Sequence, residues 1–254
     1  MILAIVQARC SSSRLPMKVL KPILNKPMLL HQIERLQHSD LIDKIVVATS
    51  TSTSDDVIEE MCLANNIGVF RGSLDNVLDR FYQCAMVYNP EFIVRLTGDC
   101  PLIDWQVVDQ TIDYFVNGSF DFVETSPNFP DGLDTEIITL ASLHTAWKEA
   151  MLPSEKEHVT QFIVNRPKKF RNGVFEPTED LGHLRWTVDE PEDFEFVQKI
   201  FHMLYKDNPV FVSQDILNIL KRNPLLANMN SGFTRNEGLE KSLAEDKRNF
   251  QKCF

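Results

Sequence analysis

The 254-residue sequence has few cysteines, and none lies in a pattern that binds metal or forms a disulfide framework. The five cysteines are scattered, odd in number and never spaced as C-x-x-C, which argues against zinc ribbons and disulfide-stapled folds. No apolar stretch approaches the length of about 20 residues that a helix needs to cross a bilayer. The net charge of −10 argues against a broad nucleic-acid-binding surface.

The amino terminus, MILAIVQAR, is apolar but lacks preceding basic residues and a small-residue cleavage site. This composition favours a first β-strand over a secretory signal peptide, and the expected compartment is the cytoplasm. Hydrophobic residues make up 43% of the chain, enough for a full globular core. We predict one domain over residues 1–230, followed by a polar tail at 231–254.

Acidic residues are absent before Glu34, although acids outnumber cations in the chain as a whole. Five cations precede that first acid: Arg9, Arg14, Lys18, Lys21 and Lys26. A local cationic cluster in an acidic protein indicates one bound polyanion. The alternative is a solvent-exposed loop with ordinary surface cations.

Short continuous apolar runs alternate with segments of helical periodicity over the first 120 residues. Such runs are typical of strands buried on both faces, and the alternation predicts parallel βαβ units. The predicted strands are 2–8, 44–50, 68–72 and 92–104, and the last of these stretches breaks into a Gly-Asp turn. The predicted helices are 27–39, 51–66, 74–88 and 105–116. The predicted fold class is α/β, with a Rossmann-like, mostly parallel sheet and helices on both faces.

After residue 120 the pattern is less regular, which predicts a smaller inserted α+β region at about 120–170. Two strands, FDFVETS and DTEIITLA, are expected there around the turn-rich PNFPDGLD. Further helices are expected at 141–150, 155–165 and 213–222, and residues 184–204 are predicted to form a strand, a turn and a long helix. The polar tail is either a docked helix or a mobile terminus.

The loop 9–18, RCSSSRLPMK, contains no glycine, so it is neither a Walker A loop nor a G-x-G-x-x-G turn. It follows the first strand, and ligands of open parallel sheets bind beyond the carboxyl ends of the strands. Arginine forks and a lysine charge suit phosphate oxygens, and the serines add hydroxyl donors. We also expect the backbone amides of residues 10–13 to be free for an anion. The loop is therefore a candidate triphosphate site.

Mg²⁺ usually accompanies a triphosphate, and it takes one or two carboxylates together with phosphates and waters. Asp99 in TGDCP and Asp189 in WTVDEPED each follow a predicted strand, so both are candidate magnesium ligands. Turn formation is the alternative role for Asp99, and capping of the following helix is the alternative for Asp189.

Six motifs occur in one order within residues 1–205: QARCSSSRLPMKVL, NKPMLLHQIERL, IVVATS, FRGSLDNVLDRF, RLTGDCPLID and RWTVDEPEDFEFV. This ordered set resembles the cytidylyltransferases that activate sugar acids, such as the CMP-octulosonate and CMP-acylneuraminate synthetases. Within them it is most similar to the subgroup of spore-coat polysaccharide biosynthesis protein F. The resemblance implies a nucleotide-diphospho-sugar transferase-like fold and a homodimer with part of residues 120–165 at the interface.

The resemblance also assigns a nucleotide site. The residues matched to it are Ala8, Arg9, Ser13, Arg14, Lys18, Arg71 and Thr97, with Arg71 near the cytosine ring. Asp99 and Asp189 match the two metal ligands, and Lys18 would neutralise charge on the leaving pyrophosphate. These three and Arg9 form the implied catalytic set. Thr97 replaces a base-reading glutamine of the octulosonate enzymes, which leaves base selectivity open.

The acceptor is expected to bind in the irregular region. Candidates come from FPDGLDTEI and EKEHVTQFI, which are similar to motifs of the spore-coat subgroup: Asp131, Gly132, Asp134, Glu136, Glu157 and His158. Carboxylates bind hydroxyl-rich sugars, but metal ligation or turn formation is an equal alternative for the first stretch. For His158 the alternative is a structural or surface role.

The implied reaction is Mg-dependent transfer of CMP from CTP to a sugar, expected to be a sugar acid, for surface polysaccharide synthesis. Positioning and charge neutralisation suffice for such chemistry, which fits the lack of a Ser-His-Asp or Cys-His set. The expected partners are CTP and a small sugar, with no nucleic acid or membrane. Three alternatives stay open: another base or a sugar-phosphate or phosphonate acceptor, a glycosyltransferase of related fold, and a catalytically silent nucleotide-binding module.

Overall fold

The computed structural model describes the backbone of residues 1–252 and the side chains of residues 1–248. Its strands are β1 (Ile2–Gln7), β2 (Pro22–Ile23), β3 (Lys26–Pro27), β4 (Lys44–Ser50), β5 (Gly68–Gly72), β6 (Phe92–Thr97), β7 (Phe122–Thr125), β8 (Glu136–Thr139) and β9 (Asn172–Phe175). Its α-helices are α1 (Met28–Leu36), α2 (Asp56–Ala64), α3 (Val77–Tyr88), α4 (Trp105–Gly118), α5 (Leu140–Glu149), α6 (Pro153–Glu157), α7 (Gln161–Val164), α8 (Pro191–Leu204), α9 (Ser213–Arg222), α10 (Pro224–Ala227) and α11 (Glu237–Lys252).

Seven strands form one sheet in the order β5-β4-β1-β6-β8-β7-β9, in which β8 runs antiparallel to both of its neighbours. The chain changes direction across the sheet at β1, which pairs with β4 on one side and β6 on the other. Such a switch point opens a crevice beyond the carboxyl ends of the two strands. The loops that follow β1 and β6 therefore meet at one edge of the sheet.

Helices cover both faces of this sheet. Alternate side chains of each strand point to opposite faces, so one strand contributes to the cores on both sides. Ala4 and Val6 of β1 belong to the core that includes α1, α2, α4 and α8, whereas Leu3 and Ile5 belong to the core that includes α3 and α5. With neither face solvated, β1 has an uninterrupted apolar sequence. The predicted Rossmann-like, mostly parallel α/β fold is confirmed.

The structure differs from the predicted elements in two of the later segments. Residues 184–188 form no strand of the sheet, and only an isolated bridge joins Arg185 to Asp131. The helix predicted at 155–165 is divided into α6 and α7, because Val159 between them has a left-handed backbone with φ 51°.

The short hairpin of β2 and β3 lies in a stretch where the sequence pattern predicts no strand. Its two turn residues, Leu24 and Asn25, have φ of 49° and 64°. Positive φ at both central residues is the requirement of a type I′ turn, which two-residue hairpins favour. Leucine is a poor marker for that conformation, so the sequence gives little sign of the turn.

The polar tail contains helix α11, which packs against α6, so the docked-helix alternative describes the tail through residue 252. The Ser154 amide donates to Asp246 (3.3 Å), and His158 contacts the Ser242 hydroxyl (3.0 Å). Across the described residues, no helix combines the length and the apolar character needed to span a membrane.

Candidate active site

The loop that follows β1 is anchored by Asp55. Its carboxylate accepts the Cys10 amide (2.7 Å) and the Ser50 hydroxyl (2.5 Å), and the side chain is fully buried. Burial raises the pKa of Asp55, but these hydrogen bonds outweigh burial and keep the pKa below its ordinary value. An ionised Asp55 therefore fixes the start of the loop to the end of β4.

Two of the four loop amides predicted to be free are used within the protein. The Cys10 amide donates to Asp55, and the Ser12 amide donates to the Cys10 carbonyl (2.9 Å). The amides of Ser11 and Ser13 have no acceptor within the part of the chain that the structure describes. The loop can thus offer an anion two of these backbone donors rather than four.

Lys18 lies between the two predicted metal ligands. Its ammonium donates to Asp99 (2.7 Å), to Asp189 (2.7 Å) and to the Val188 carbonyl (2.9 Å). Burial lowers the pKa of Lys18, but the two carboxylates outweigh burial and raise it above the ordinary value. Burial also opposes ionisation of Asp99, yet the charge of Lys18 keeps the pKa of Asp99 well below its ordinary value. Lys18 and Asp99 are therefore both ionised at neutral pH.

Asp99 and Asp189 fit a magnesium site. Both contact the same ammonium, so they are close enough to share one cation, and 23% of each side chain is exposed to the crevice. Mg²⁺ is satisfied by two carboxylates when phosphate oxygens and waters complete its coordination. Among the described side chains, no group of three or more metal-binding residues comes together, so the other ligands would come from substrate and water.

Gly98 brings Asp99 to this position. A Cβ at Gly98 would lie 2.9 Å from the Gln7 carbonyl oxygen and 3.1 Å from the Ala8 Cβ. The Gly98 amide donates to the same carbonyl at 2.7 Å. The ends of β1 and β6 can therefore approach each other only where residue 98 lacks a side chain.

Asp189 is held by backbone and arginine contacts rather than by the predicted strand. The Val188 amide donates to the Asp99 carbonyl (2.8 Å), and Arg185 donates to Asp189 (3.3 Å). Arg185 also forms two bonds with the buried carboxylate of Asp193 (2.9 and 3.1 Å), which accepts the Asp189 amide (2.9 Å). Arg185 and Asp193 thereby orient the Asp189 carboxylate.

Two adjoining cavities meet at these aspartates. The first, the loop cavity, has a volume of about 330 Å³ and is lined by Gln7, Arg9, Ser11, Ser12, Ser13, Arg14, Lys18, Val19, Thr97, Gly98, Asp99, Asp189, Gly238 and Lys241. The second, the acidic cavity, has about 320 Å³ and is lined chiefly by Arg14, Arg95, Thr97, Asp99, Cys100, Glu124, Asp131, Asp134, Glu136, His158, Thr160, Asp189, Thr234, Asn236, Glu237 and Leu239. The catalytic candidates Asp99 and Asp189 belong to both.

The structure brings most of the predicted nucleotide-binding residues to the loop cavity. They are Arg9, Ser13, Arg14, Lys18 and Thr97. Ala8 is instead buried beneath the loop, with 2% of its surface exposed.

Arg71 lines neither cavity, and its place near a cytosine ring stays a prediction. Its guanidinium donates to the carbonyls of Ser50 (2.9 Å) and Ser52 (2.8 Å) and forms ion pairs with Asp56 (2.7 Å) and Glu59 (2.8 Å). These contacts occupy the side chain in bracing the connection between β4 and α2.

Four of the six predicted acceptor residues line the acidic cavity: Asp131, Asp134, Glu136 and His158. Gly132 does not line the cavity, because its backbone packs against residues 186–187. Its φ is 112°, and a Cβ at this position would lie 2.5 Å from the Thr187 amide nitrogen. Glu157 points to the tail instead, and its carboxylate accepts the Ser242 hydroxyl (2.8 Å).

The acidic cavity contains a carboxylate without a partner. Glu124 forms no side-chain hydrogen bond or ion pair with the described residues, and it faces Glu136, its register partner across β7 and β8. Burial, together with Glu136 and Asp134, raises the pKa of Glu124 to about 7. Burial and Asp134 likewise raise the pKa of Asp131 to about 6, against the opposing charge of Arg185.

Several charged residues of the site are missed by the sequence patterns. Arg95 donates to Glu136 (2.7 Å), and it stands inside the apolar run of β6. Arg185 likewise interrupts the apolar residues of 184–188. A charge within a buried stretch is the feature that could have marked both, since charges are seldom buried without a partner. Arg235, by contrast, lies in the polar tail, where nothing distinguishes it.

The four cysteines among the described residues are buried and are not placed to act as nucleophiles. Cys10, Cys62, Cys84 and Cys100 are free and buried, whereas Cys253 lies outside the described residues. Burial and the neighbouring Asp99 raise the pKa of Cys100 well above its ordinary value, so its thiol stays protonated.

A family model described as Cytidylyltransferase matches residues 3–223, so the chain belongs to the cytidylyltransferase family and is a nucleotidyltransferase enzyme. This confirms the resemblance that the ordered motifs indicate.

Individual relatives agree with this assignment. The chain is 37% identical over 235 residues to an uncharacterised protein of Methanocaldococcus jannaschii, covering 91% of this chain and 94% of that protein. It is 33% identical over 230 residues to the spore coat polysaccharide biosynthesis protein SpsF of Bacillus subtilis, covering 88% and 95%. The solved structure of a cytidylyltransferase from Leptospira borgpetersenii is 32% identical, with a TM-score of 0.86 over 92% of this chain and 99% of that one.

Proposed function

We propose that this enzyme transfers CMP from CTP to a hydroxyl group of a sugar, with release of pyrophosphate and with Mg²⁺ held by Asp99 and Asp189. The observation that carries the proposal is Lys18, whose ammonium joins both aspartates where a cation-lined cavity meets an acidic one. The cytidylyltransferase family supports CTP as the donor. The similarity to SpsF supports a role in polysaccharide biosynthesis.

CTP would place its phosphates in the loop cavity. Arg9 and Arg14 offer guanidinium donors, Ser13 adds a hydroxyl and a free amide, and Lys18 lies at the inner end. Arg14 forms ion pairs with Asp189 and Glu190 (3.0 Å each), which an arriving phosphate would have to replace in part. Bound Mg²⁺ would supply further stabilisation of phosphate charge.

The reaction forms one bond and breaks one. A hydroxyl oxygen of the acceptor attacks the α-phosphorus, the bond to the oxygen that bridges the α- and β-phosphorus breaks, and the hydroxyl proton is lost to solvent. Charge develops on the departing pyrophosphate, and the Lys18 ammonium neutralises it. Asp99 and Asp189 keep that ammonium in place at the border of the two cavities.

The acceptor would bind in the acidic cavity with its hydroxyl groups facing carboxylate oxygens. A sugar acid fits if its carboxylate lies against Arg95, the cation that β6 contributes to this cavity. A neutral or amine-bearing sugar is the second candidate, because Glu124 has no partner among the described residues. A sugar phosphate carries more negative charge than a sugar acid, so repulsion by the same acidic lining disfavours it more strongly.

Pyrophosphate release tests the proposal. The protein would be supplied with Mg²⁺, each of four nucleoside triphosphates, and 3-deoxy-manno-octulosonate, N-acetylneuraminate, a hexose, an amino hexose or a hexose phosphate. We expect release with CTP and one of the non-phosphorylated sugars. Release with GTP or UTP but not CTP would refute the cytidyl assignment, and no release in any combination would refute the proposed activity.

A further inference from the structure

The C-terminal segment 230–248 contributes to both cavities, although it follows the part of the chain that matches the family model, 3–223. Thr234, Asn236 and Leu239 line the acidic cavity. Lys241, two residues further along α11, lines the loop cavity. The segment is therefore part of the site and is not a separate appendage.

Arg235 fixes this segment to the turn that carries the acidic residues. Its guanidinium donates to the carbonyls of Pro127 and Phe129 (2.9 Å each) and to the Asp134 carboxylate (2.5 Å). Its Nε lies 3.9 Å from Asp131, and only 18% of the side chain is exposed. One side chain thereby determines where two carboxylates of the acidic cavity lie.

Buried polar contacts hold the segment on either side of Arg235. Asn230, which is 2% exposed, donates to the Arg185 carbonyl (3.0 Å) and to Asp193 (2.8 Å). At the other end, the buried Asp246 accepts the Ser154 amide (3.3 Å). Because buried polar groups are costly to leave unpaired, these contacts favour one fixed position of the segment.

We propose that segment 230–248 is the acceptor-side wall of the catalytic cavity and that Arg235 is a positioning residue for acceptor binding. This inference rests on the proposed function, in which the acidic cavity holds the acceptor. Asp131 has a second cation in Arg185 (2.6 Å), whereas the ion pair of Asp134 in the described structure is with Arg235. Removing Arg235 would therefore release Asp134 and the adjoining part of the wall, while Asn230 and Asp246 still hold the two ends of the segment.

The hydrogen bonds of Arg235 go to Pro127, Phe129 and Asp134. The segment meets the loop cavity further along, through Lys241 and through the ion pair of Glu237 with Arg14 (3.4 Å). The loss of Arg235 is therefore expected to affect acceptor binding more than CTP binding. The Arg235→Ala variant would be compared with Arg235→Lys and with Arg222→Ala, an exposed arginine at the end of α9 that lines neither cavity. The KM of the acceptor, the KM of CTP and kcat would be measured by pyrophosphate release with the best sugar of the panel above. Hydrogen–deuterium exchange of residues 127–137 would be followed in the same proteins.

We expect Arg235→Ala to raise the acceptor KM about tenfold, the size of one lost charge-assisted hydrogen bond, with the CTP KM and kcat changed less than about threefold. Exchange at 127–137 should rise. Arg235→Lys should show a smaller increase in the acceptor KM, because lysine keeps the positive charge but lacks the forked guanidinium donors. Arg222→Ala should match the wild type.

Equal increases in both KM values, or an unchanged acceptor KM, would overturn the inference. If the wild type transfers CMP to none of the sugars, the proposed function fails. Hydrogen–deuterium exchange then remains as the test of whether Arg235 fixes segment 230–248 to the turn 127–137. Unchanged exchange at 127–137 in Arg235→Ala would refute the wall even then, whereas a rise confined to this turn and to 230–248 would support it.

Discussion

The loop cavity and the acidic cavity are nearly equal in volume, at about 330 and 320 Å³, but opposite in the charge of the residues particular to each. Arg9, Lys18 and Lys241 line only the first, whereas Glu124, Asp131 and Glu136 line only the second. Asp99 and Asp189 lie at the border, where both pair with Lys18. The difference would direct a polyanion to one side and a hydroxylated or cationic group to the other.

The two cavities also differ in how the chain builds them. The loop cavity comes mostly from one contiguous loop and from the ends of β1 and β6. The acidic cavity combines β6, β7, β8, the turn before β8 and the segment 230–248. A local motif therefore describes the first cavity, whereas tertiary packing decides the second.

The largest effect is expected where the cavities meet, at Asp99. Asp99→Asn keeps the shape of the side chain but removes the charge that is proposed to hold Mg²⁺, and we expect activity to fall about a thousandfold or more. Thermal unfolding should show an intact fold. Asp113→Asn, at an exposed position of α4, is the matched control and should keep wild-type activity. An unchanged rate for Asp99→Asn would contradict the metal assignment.

Lys18→Met should remove activity and also destabilise the protein. Both carboxylates lose their shared ammonium, and although Asp189 keeps Arg14 and Arg185, Asp99 loses its ion-pair partner. Leaving such a charge unpaired costs about 3 kcal/mol. Millimolar Mg²⁺ should restore part of this stability in Lys18→Met by binding both aspartates, but not in the double variant with Asp99→Asn. Chemical denaturation with and without Mg²⁺ measures the difference, and Lys21→Met serves as the control.

Asp99 sets the pH dependence of the stability difference between the wild type and Lys18→Met. Its pKa in the folded protein is lowered from the ordinary 3.8. The contribution of the pair to stability is present above pH 3.8 and is lost as the pH falls through the folded pKa. The gap between wild type and Lys18→Met should therefore narrow in acid. A gap that stays constant down to the lowest pH at which the fold persists would argue against this ion pair as its cause.

The Glu124→Gln variant tests the electrostatics of the acidic cavity through the free energy of unfolding, measured as a function of pH. Burial and Glu136 raise the folded pKa of Glu124 from 4.5 to about 7. The fold therefore loses stability as the pH rises from 4.5 to about 7, and the full penalty is present above pH 7, where Glu124 is ionised in the folded protein too. We expect Glu124→Gln to stabilise the protein by about 1–3 kcal/mol at pH 8. The gain should disappear below the ordinary pKa of 4.5, where Glu124 is neutral in both the folded and unfolded chain. A gain independent of pH would contradict the electrostatic explanation.

Much of the fold follows from the sequence because buried strands are marked by their apolar runs. The bounds of β4, β5 and α9 agree with the predicted 44–50, 68–72 and 213–222. Residues 184–188 show the limit of this reasoning. Leu184, Trp186 and Val188 alternate as a strand would and are buried, yet the backbone pairs at one bridge only. Burial is thus visible in the pattern, but the hydrogen-bond partner is not.

The same distinction applies to the site. Lys18 and Asp99 could be placed together because parallel strands deliver their following loops to one edge. No comparable rule brings Arg235 to Asp134, 101 positions earlier in the chain. For Arg71, the motif gives a position in the chain but not the ion pairs that its side chain forms with Asp56 and Glu59.

The smallest predicted effect concerns a single cation of the loop cavity. Arg9 is exposed, so its contact with phosphate would be weakened by water and salt, and Arg9→Ala should raise the CTP KM about fivefold. The acceptor KM should stay unchanged, because Arg9 does not line the acidic cavity. Added salt should raise the CTP KM of the wild type more than that of the variant. An equal rise in both KM values would show that the two cavities do not divide the substrates by charge.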